Sequence, residues 1–510
     1  MTTKTYTETN AVPYYDECDV LVVGSGCAGH SAAIAAARAG CKNIILMERY
    51  GYSGGDVTGA YVLMVPKLSW YNQTYVRGIQ QEWFDRLKVI PGAVLGPEPE
   101  EVGSSDPVLV NLWGSYMGGV TRPNTTGVAN NRNNANSIND MDKRVVNAVC
   151  YDADELKIEM DAMLLEHKDA IRVLYHCWGT KPIMEDNEIK GVIFESKEGR
   201  RAISAKVVID ATGDGDIFRQ AGAPFAGLAD TRMRSSATSL GWRVGGVNHE
   251  AFYEWKKANP QVFEAMRAMI TKRTGFMTGL NPESRDGVYW ASNFHRNRDC
   301  ANIKDMTYTE IITRSTIREI LDIYKKYCPI GFKDAYLYDI APQLGCRCSY
   351  RLVGEYVMSP KDWAFAAKHD DVIAWHSTVS SVNDGAPVEI PYRAILPQKV
   401  DGMLCPGRHI STDDVAIDWV NLIPQCIGTG QAAGIAAAVA VADGTTVRSV
   451  DIKKVQDILV RQGVPLPRRG DVDPALTQNC EEHEYGMYTE VSKKMREEMS
   501  LDKDFIANFQ

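Results

Sequence analysis

Short apolar runs and glycine turns alternate at the start of the chain. Val20-Leu-Val-Val23 is a continuous apolar run that ends in glycines at 24, 26 and 29. An alanine-rich segment continues to Ala39, Gly40 breaks it, and a second apolar run ends at Glu48. A continuous run bounded by turn residues reads as a buried strand, and a long alanine-rich stretch reads as a helix. The pattern therefore predicts strand, tight turn, helix, strand and a terminal acid. Further on, Asp152, Asp154 and Glu155 predict a helix start near 151, with apolar positions running to 165. A strand at 171–176, a hairpin around 185–188 and a buried strand at 205–210 leading into a glycine loop follow. Residues 225–340 carry helical patterns at 250–271 and 308–327. A strand meets a glycine loop at 400–408, and a helix opens near Pro424, a residue suited to a first helical turn, and runs to about 442. Beyond 445 the chain is charged and helical in part, with Pro465, Pro467 and Pro474 marking loops; no internal repeat is present.

The first unit has a specific chemical use. Gly24 permits the turn, Gly26 lets backbone approach a pyrophosphate, and Gly29 lets the helix pack on the strand. The helix N-terminus then offers unpaired N–H groups to phosphate. Glu48 falls where an acid accepts from a ribose hydroxyl. Gly54 and Gly55 would let backbone lie against a flat ligand. The later order of helix, strand, small meander, strand and glycine loop fits the second half of an FAD-binding domain better than a plain nicotinamide-binding fold.

Gly24-Ser-Gly-Cys-Ala-Gly29, Glu48-Arg-Tyr-Gly-Tyr-Ser-Gly-Gly55, Ile209-Asp-Ala-Thr-Gly-Asp-Gly-Asp216, the 347–356 segment, Pro406-Gly-Arg408 and Gly430-Gln-Ala-Ala-Gly434 carry a resemblance. Together they resemble FAD-dependent oxidoreductases with a glutathione-reductase-type flavin domain, related to fumarate reductase and succinate dehydrogenase flavoproteins. The resemblance covers roughly half of the chain, split between its two ends. It implies an α/β fold: a Rossmann-like FAD-binding domain, with a parallel sheet and a small β-meander, and an inserted α+β substrate or cap domain. It implies that Gly24, Gly26, Cys27, Ala28 and Gly29 hold the pyrophosphate, that Glu48 holds the adenosine ribose with Arg49 beside it, and that Gly54, Gly55 and Asp56 line the flavin's middle. Ala211, Thr212 and Gly213 would pass close to FAD, Gly407 would approach the ribityl chain or pyrophosphate, and the helix begun at Pro424 would face the flavin N1–C2=O edge. The chain departs from the family pattern at His409, Asp413-Asp414, Asn421 and Tyr350, all on segments expected near the flavin. The implied partition is an N-terminal tail at 1–18, FAD-binding parts at 19–56 and 142–224, insertion loops at 57–141, a substrate or cap domain at 225–340, a return to the FAD domain at 341–444 and a C-terminal helical tail at 445–510.

Composition adds exclusions. A chain of 510 residues exceeds what one core usually supports, so more than one lobe is expected. The net charge of −9, without a Lys/Arg run, argues against nucleic acid. Residues 1–18 are polar and lack a signal-type apolar segment, and the apolar window 428–442 is short for a bilayer span. A cytoplasmic protein without membrane insertion is the expectation. The 12 cysteines are scattered, which favours free thiols, and neither CxxC nor HExxH spacing points to a metal. The 57–141 insertion alternates Trp70, Tyr71, Trp83, Trp113 and Tyr116 with Gly and with Asn124, Asn130, Asn131, Asn133, Asn134 and Asn136, without helical or strand periodicity. It is expected to cover the ligand, its flat faces and amides suiting a sugar-like or polar aromatic molecule, or else to pack its own small core.

A flavin enzyme must also handle a proton. Candidates are His409, Asp413, Asp414 and, less well placed, His376. His409 could instead be a neutral histidine donating to a backbone carbonyl, and the two aspartates could cap a turn. Arg347 and Arg351 would share a face if their stretch is helical, and could hold a substrate carboxylate; a salt bridge to Glu355 is the alternative for Arg351. His30 is expected to be structural. The expected activity is hydride transfer between flavin N5 and a small polar organic substrate. An electron-transfer subunit working with a partner, or a structural FAD, are the competing possibilities. The electron acceptor or donor is open, a homo-oligomer is possible, and only one strand-led GxGxxG argues against a separate nicotinamide domain.

Overall fold

The computed structural model describes residues 4–65, 68–70, 73–74, 77–117, 145, 147–227, 238–295, 298–359, 361–362, 367–376, 388–414 and 416–467. Its main sheet runs, in spatial order, Ile171–Leu174, Ile44–Met47, Tyr14–Val23, Gly199–Asp210, Glu188–Ser196 and Trp178–Glu185, with Met403–Leu404 pairing on Gly199–Asp210. The pairings around Tyr14–Val23 are parallel, with Val20 opposite both Ile44 and Val207, and the last two strands are antiparallel. Val20–Val23 and all of Ile44–Met47 are buried, as a parallel sheet covered on both faces requires. The first strand begins at Tyr14, not at 19. Residues 14–18 are too polar to read as strand, and they are held by the long partner Gly199–Asp210, against which Tyr14 pairs with Ala202 and Cys18 with Ala205.

The helix Cys27–Arg38 follows, and the return helix Ile423–Asp443 packs against it. Their closeness depends on two absent side chains. A Cβ on Gly430 would lie 2.2 Å from the Ala28 carbonyl oxygen, and one on Gly434 would lie 2.0 Å from that of Ala32. By length and composition the helix at 423–443 could cross a membrane, so the shortness expected of this window does not hold; 83% of its apolar window is buried inside the fold.

Helix Ala153–Glu166 is capped by Asp152, whose carboxylate accepts from the Asp154 and Glu155 N–H groups. A second lobe holds a four-stranded antiparallel sheet in the order Met277–Pro282, Tyr289–Phe294, Trp242–Gly245, Tyr336–Ile340. Its core joins Trp242, Phe252, Ile320, Tyr324 and Phe332. The single helix expected at 250–271 is two, His249–Ala258 and Pro260–Thr274, because Pro260 lacks an N–H and forces Asn259 out of helical geometry. The helix expected at 308 starts at Ile303, where the Asn302 side chain accepts from Lys304 and Asp305 N–H. Within 57–141, where no clean helix is expected, helices Ile79–Lys88 and Pro107–Met117 occur. Trp83 is buried with His30 at its ring edge, and Trp113 packs beside Tyr116, so these aromatics fill local cores. Tyr71, the six asparagines between 124 and 136, and Pro474 lie outside the described residues.

Candidate active site

The site forms where the parallel strands end. Gly24 has φ +94°, and a Cβ there would meet the Ala211 carbonyl oxygen at 2.7 Å. A Cβ on Gly29 would meet the Gly24 carbonyl oxygen at 1.7 Å, so the third glycine sets how closely the helix sits on the turn. Gly26 differs: a Cβ there would meet nothing within 4 Å. Its smoothness serves open space above the turn, and the helix it caps carries no side-chain cap. Gly55, at φ +57°, approaches the Gly26 backbone from the opposite side, after Gly54 N–H has bonded to the Ser25 carbonyl at 2.7 Å.

Glu48 ends the second strand as a buried carboxylate. One oxygen accepts from Ser25 N–H at 2.7 Å and the other from Tyr50 N–H at 2.9 Å. Burial pushes its pKa up against those bonds. The next residue, Arg49, places its guanidinium 5.0 Å from the Tyr50 ring centroid and 5.8 Å from that of Trp178.

The opposite wall is the loop after Gly199–Asp210. Asp210 organises it: one oxygen accepts from Thr212 N–H and Oγ1, the other from Ile217 and Phe218 N–H at 3.1 and 2.9 Å. This loop carries Asp214 and Asp216. Asp214 accepts from Ser349 Oγ at 2.5 Å and pairs with Arg408 at 2.9 Å. Arg408 in turn donates to the Cys346 carbonyl. Asp216 is pushed up to about 6 by burial and by the neighbouring charges of Asp214 and Asp210.

These walls enclose a cleft with about 880 Å³ of atom-free space, counted out to its open mouth. Of the residues expected to hold cofactor, Gly24, Gly26, Cys27, Ala28, Glu48, Arg49, Gly55, Asp56, Ala211, Thr212, Gly213 and Gly407 line it. Gly29, Gly54 and Pro424 do not; the first two shape the turn behind it, and from the helix that contains Pro424 it is Cys426 that reaches the cleft. Trp178, Asp216, Gln343 and Arg408 also line it without having been candidates, as does Cys346, which the sequence marks only as half of the close pair Cys346-Arg-Cys348. Arg408 and Asp216 stand inside the motifs that carry the resemblance; Trp178 and Gln343 have no local signal.

None of the expected catalytic residues His409, Arg347, Asp413 and Asp414 lines this cleft. His409 is fully buried, with Gly215 N–H donating to Nδ1 at 3.2 Å and Nε2 meeting the Asp210 carbonyl at 3.0 Å. That arrangement fixes a neutral ring donating from Nε2, and burial lowers its proton affinity. Asp413 accepts from Ala416 N–H at 2.7 Å, closing a turn. Asp414 is exposed and pairs with Arg351. No helix spans 347–351: Arg351–Leu352 is a short strand on Phe225–Ala226, and Leu352 N–H bonds to the His409 carbonyl, so the two arginines share no helical face. Arg347 lies 5.1 Å from the Phe294 ring centroid, and Glu355 pairs with Arg448, not Arg351. His376 and His30 are buried and each held neutral, lowered to about 4 by burial. Every described cysteine is a free thiol.

A parallel sheet, a glycine turn on an uncapped helix and an acid at the end of the next strand define a Rossmann-type dinucleotide-binding protein. Residues 19–459 match the family model described as FAD dependent oxidoreductase, and the chain belongs to that family. Its cofactor is therefore FAD, and the residues present fit it: an uncapped helix N-terminus, open space over Gly26 and a buried acid at the strand end. Urocanate reductase of Eggerthella lenta is 42% identical over 100 residues, which span 20% of this chain and 15% of that protein's length. Among solved structures, a geranylgeranyl bacteriochlorophyll reductase-like protein of Thermoplasma acidophilum aligns with a TM-score of 0.42 and 13% identity, covering 97% of this chain and 96% of that one. L-amino acid deaminase from Proteus vulgaris aligns with a TM-score of 0.41 and 11% identity, covering 88% of this chain and 99% of that one.

Proposed function

We propose that this oxidoreductase transfers a hydride between flavin N5 and a small polar organic substrate. The observation that carries the reading is the cleft itself, whose walls come from the glycine turn, the Glu48–Asp56 loop, the 211–216 loop, the 343–346 segment and Gly407–Arg408. The N-terminus of Cys27–Arg38 would take the pyrophosphate, and Glu48, already steadied by two backbone donors, would accept from the adenosine ribose. Asp56, Arg408, Cys346 and Cys426 would line the ring end. When bound, FAD supplies a reversible two-electron centre. The chain's contribution is to fix charge and exclude water. Arg408, held by Asp214 and the Cys346 carbonyl, keeps a cation in the cleft wall, where low dielectric strengthens its hold on an anionic group. Asp216 is a cleft carboxyl, raised to about 6, that can change protonation near neutrality.

The test is anaerobic mixing of the FAD-loaded protein with a panel of small metabolites, urocanate included because of the relative that shares a stretch with this chain. Loss or recovery of the flavin absorbance with one small molecule is expected. A colour change produced by protein partners alone would replace this reading with that of an electron-transfer subunit. The protein is expected to act in the cytoplasm, without membrane insertion or nucleic acid.

A further inference from the structure

Arg351 is a cation that the fold has taken out of water without giving it a full set of partners. Its backbone is fixed: it pairs with Ala226 across a short antiparallel ladder, and the next N–H, that of Leu352, bonds to the His409 carbonyl. Leu352 enters the apolar cluster on one face of the main sheet, and strand alternation sends Arg351 to the other side. There its side chain is 3% exposed. Nη2 donates to Asp414, while Nε and Nη1 are buried with no acceptor among the described residues. Thr412, on the same segment as Asp414, is also buried, and its Oγ1 has no hydrogen-bond partner there either. None of these three side chains lines the cofactor cleft.

Buried polar groups are normally bonded, and a buried cation without acceptors bears an uncompensated desolvation cost. The Asp414 contact offsets only part of it. One oxygen of that carboxylate reaches one nitrogen of the guanidinium, and the Asp414 side chain is 58% exposed. A guanidinium has two planar edges, Nε with Nη2 and Nη1 with Nη2, and each can hold an oxyanion through a pair of parallel N–H bonds. Asp414 uses a single hydrogen of Nη2, so one whole edge of Arg351 is left open. The asymmetry of the pair decides which partner can move. Asp414 can turn into water at little cost, as an exposed carboxylate of an ion pair does. Arg351, enclosed and tied at its backbone, cannot follow.

We propose that Arg351 is the seat of a small oxyanion, and that the Asp414 carboxylate is a placeholder which the ion displaces. Two oxygens of the ion take one edge of the guanidinium, and the Thr412 hydroxyl offers a further donor from the segment that carries Asp414. The exchange keeps charge in balance, since one buried cation meets one anion before and after it. Asp414 is the exposed end of the pair, so its position is the way in. The group recognised is a carboxylate or a phosphate. Because the three side chains stand outside the cofactor cleft, its source is a free ion and not the redox substrate. The site does not depend on where FAD binds.

Isothermal titration calorimetry of the FAD-loaded protein with formate and with inorganic phosphate, at constant ionic strength, reads the site. Saturable binding of one ion per chain is expected. Asp414→Asn should tighten it about two- to fivefold, the amount that an exposed ion pair withholds. Arg351→Gln should abolish it. Where that variant fails to fold, Arg351→Lys, which keeps the charge and loses the edge, should weaken binding about tenfold. No saturable heat in both the wild type and Asp414→Asn overturns the site, and so does binding that either Arg351 variant leaves unchanged. Equal affinity in the wild type and Asp414→Asn overturns the placeholder. Flavin absorbance recorded in the same titration separates the sources. A band that stays still while the ion saturates supports a free-ion site. A band that shifts with the same midpoint overturns it and makes Arg351 the holder of the redox substrate's own carboxylate.

Discussion

Asp216 and His409 both lie on segments that the sequence marks as functional, and their surroundings send them in opposite directions. His409 has a backbone donor on one nitrogen and a backbone acceptor on the other, which leaves nothing to offer a substrate. No property of the residue itself distinguishes that state from a catalytic one, because both partners come from 210–215, far away in sequence. Asp216 faces the cleft with its carboxyl raised from 3.8 to about 6. A raised carboxyl favours the folded state most when protonated, below the unfolded value, and loses that advantage as pH rises through the folded one. In flavin-free protein, stability should therefore fall between about pH 4 and pH 7 on account of this residue. Asp216→Asn should remove that part of the slope, gaining at most roughly 3 kcal/mol at neutral pH relative to its effect at pH 4. Urea denaturation of both proteins across that range checks it; parallel curves would show that Asp216 is not strained in the cleft.

At the scale of elements, local pattern alone marks the opening strands. The strands at 20–23 and 44–47 are apolar throughout, and their glycine and acid boundaries lie within a few residues. The edge at 14–18 and the four-stranded sheet of the second lobe were not visible. Tyr336–Ile340 is half exposed, and Trp242–Gly245 is only four residues long and buried throughout, Arg243 included, so their pairing is decided by tertiary partners. The site divides in the same way. The glycine turn and Glu48 are local patterns, whereas Arg408, Asp214 and Cys346 acquire meaning only when three separate loops converge. The tightest joint between distant elements is that of helices Cys27–Arg38 and Ile423–Asp443. Gly430→Ala would drive a methyl to 2.2 Å from the Ala28 carbonyl, beside the Ser31 hydroxyl. Because the obstruction is backbone, the helices must separate, at a cost of about 1–3 kcal/mol or more. A drop of that size in the unfolding free energy extrapolated to water is expected from chemical denaturation, and weakened FAD retention should accompany it, since Ala28 also lines the cleft.

Across the whole molecule, one cleft draws on segments from both ends of the chain, while the second lobe keeps its own core around Trp242, Phe252 and Phe332. A ligand that binds only the folded state stabilises it in proportion to the logarithm of its concentration over its dissociation constant, about 4 kcal/mol at a thousandfold excess. That stabilisation is felt first by the segments whose opening releases the ligand. FAD added to the flavin-free protein should therefore slow amide exchange together at 24–29, 48–56, 211–216, 343–346 and 407–408, although these stretches are remote from one another in sequence. The second lobe's strands at 242–245 and 289–294 should change much less, because they contribute nothing to the cleft wall. Hydrogen exchange followed by mass spectrometry reads each stretch separately. Protection confined to the opening turn would mean that the return segment closes the fold without gripping the cofactor. Protection concentrated in the second lobe would place the ligand outside this cleft altogether, and the roles given to Arg408 and Glu48 would fall with it.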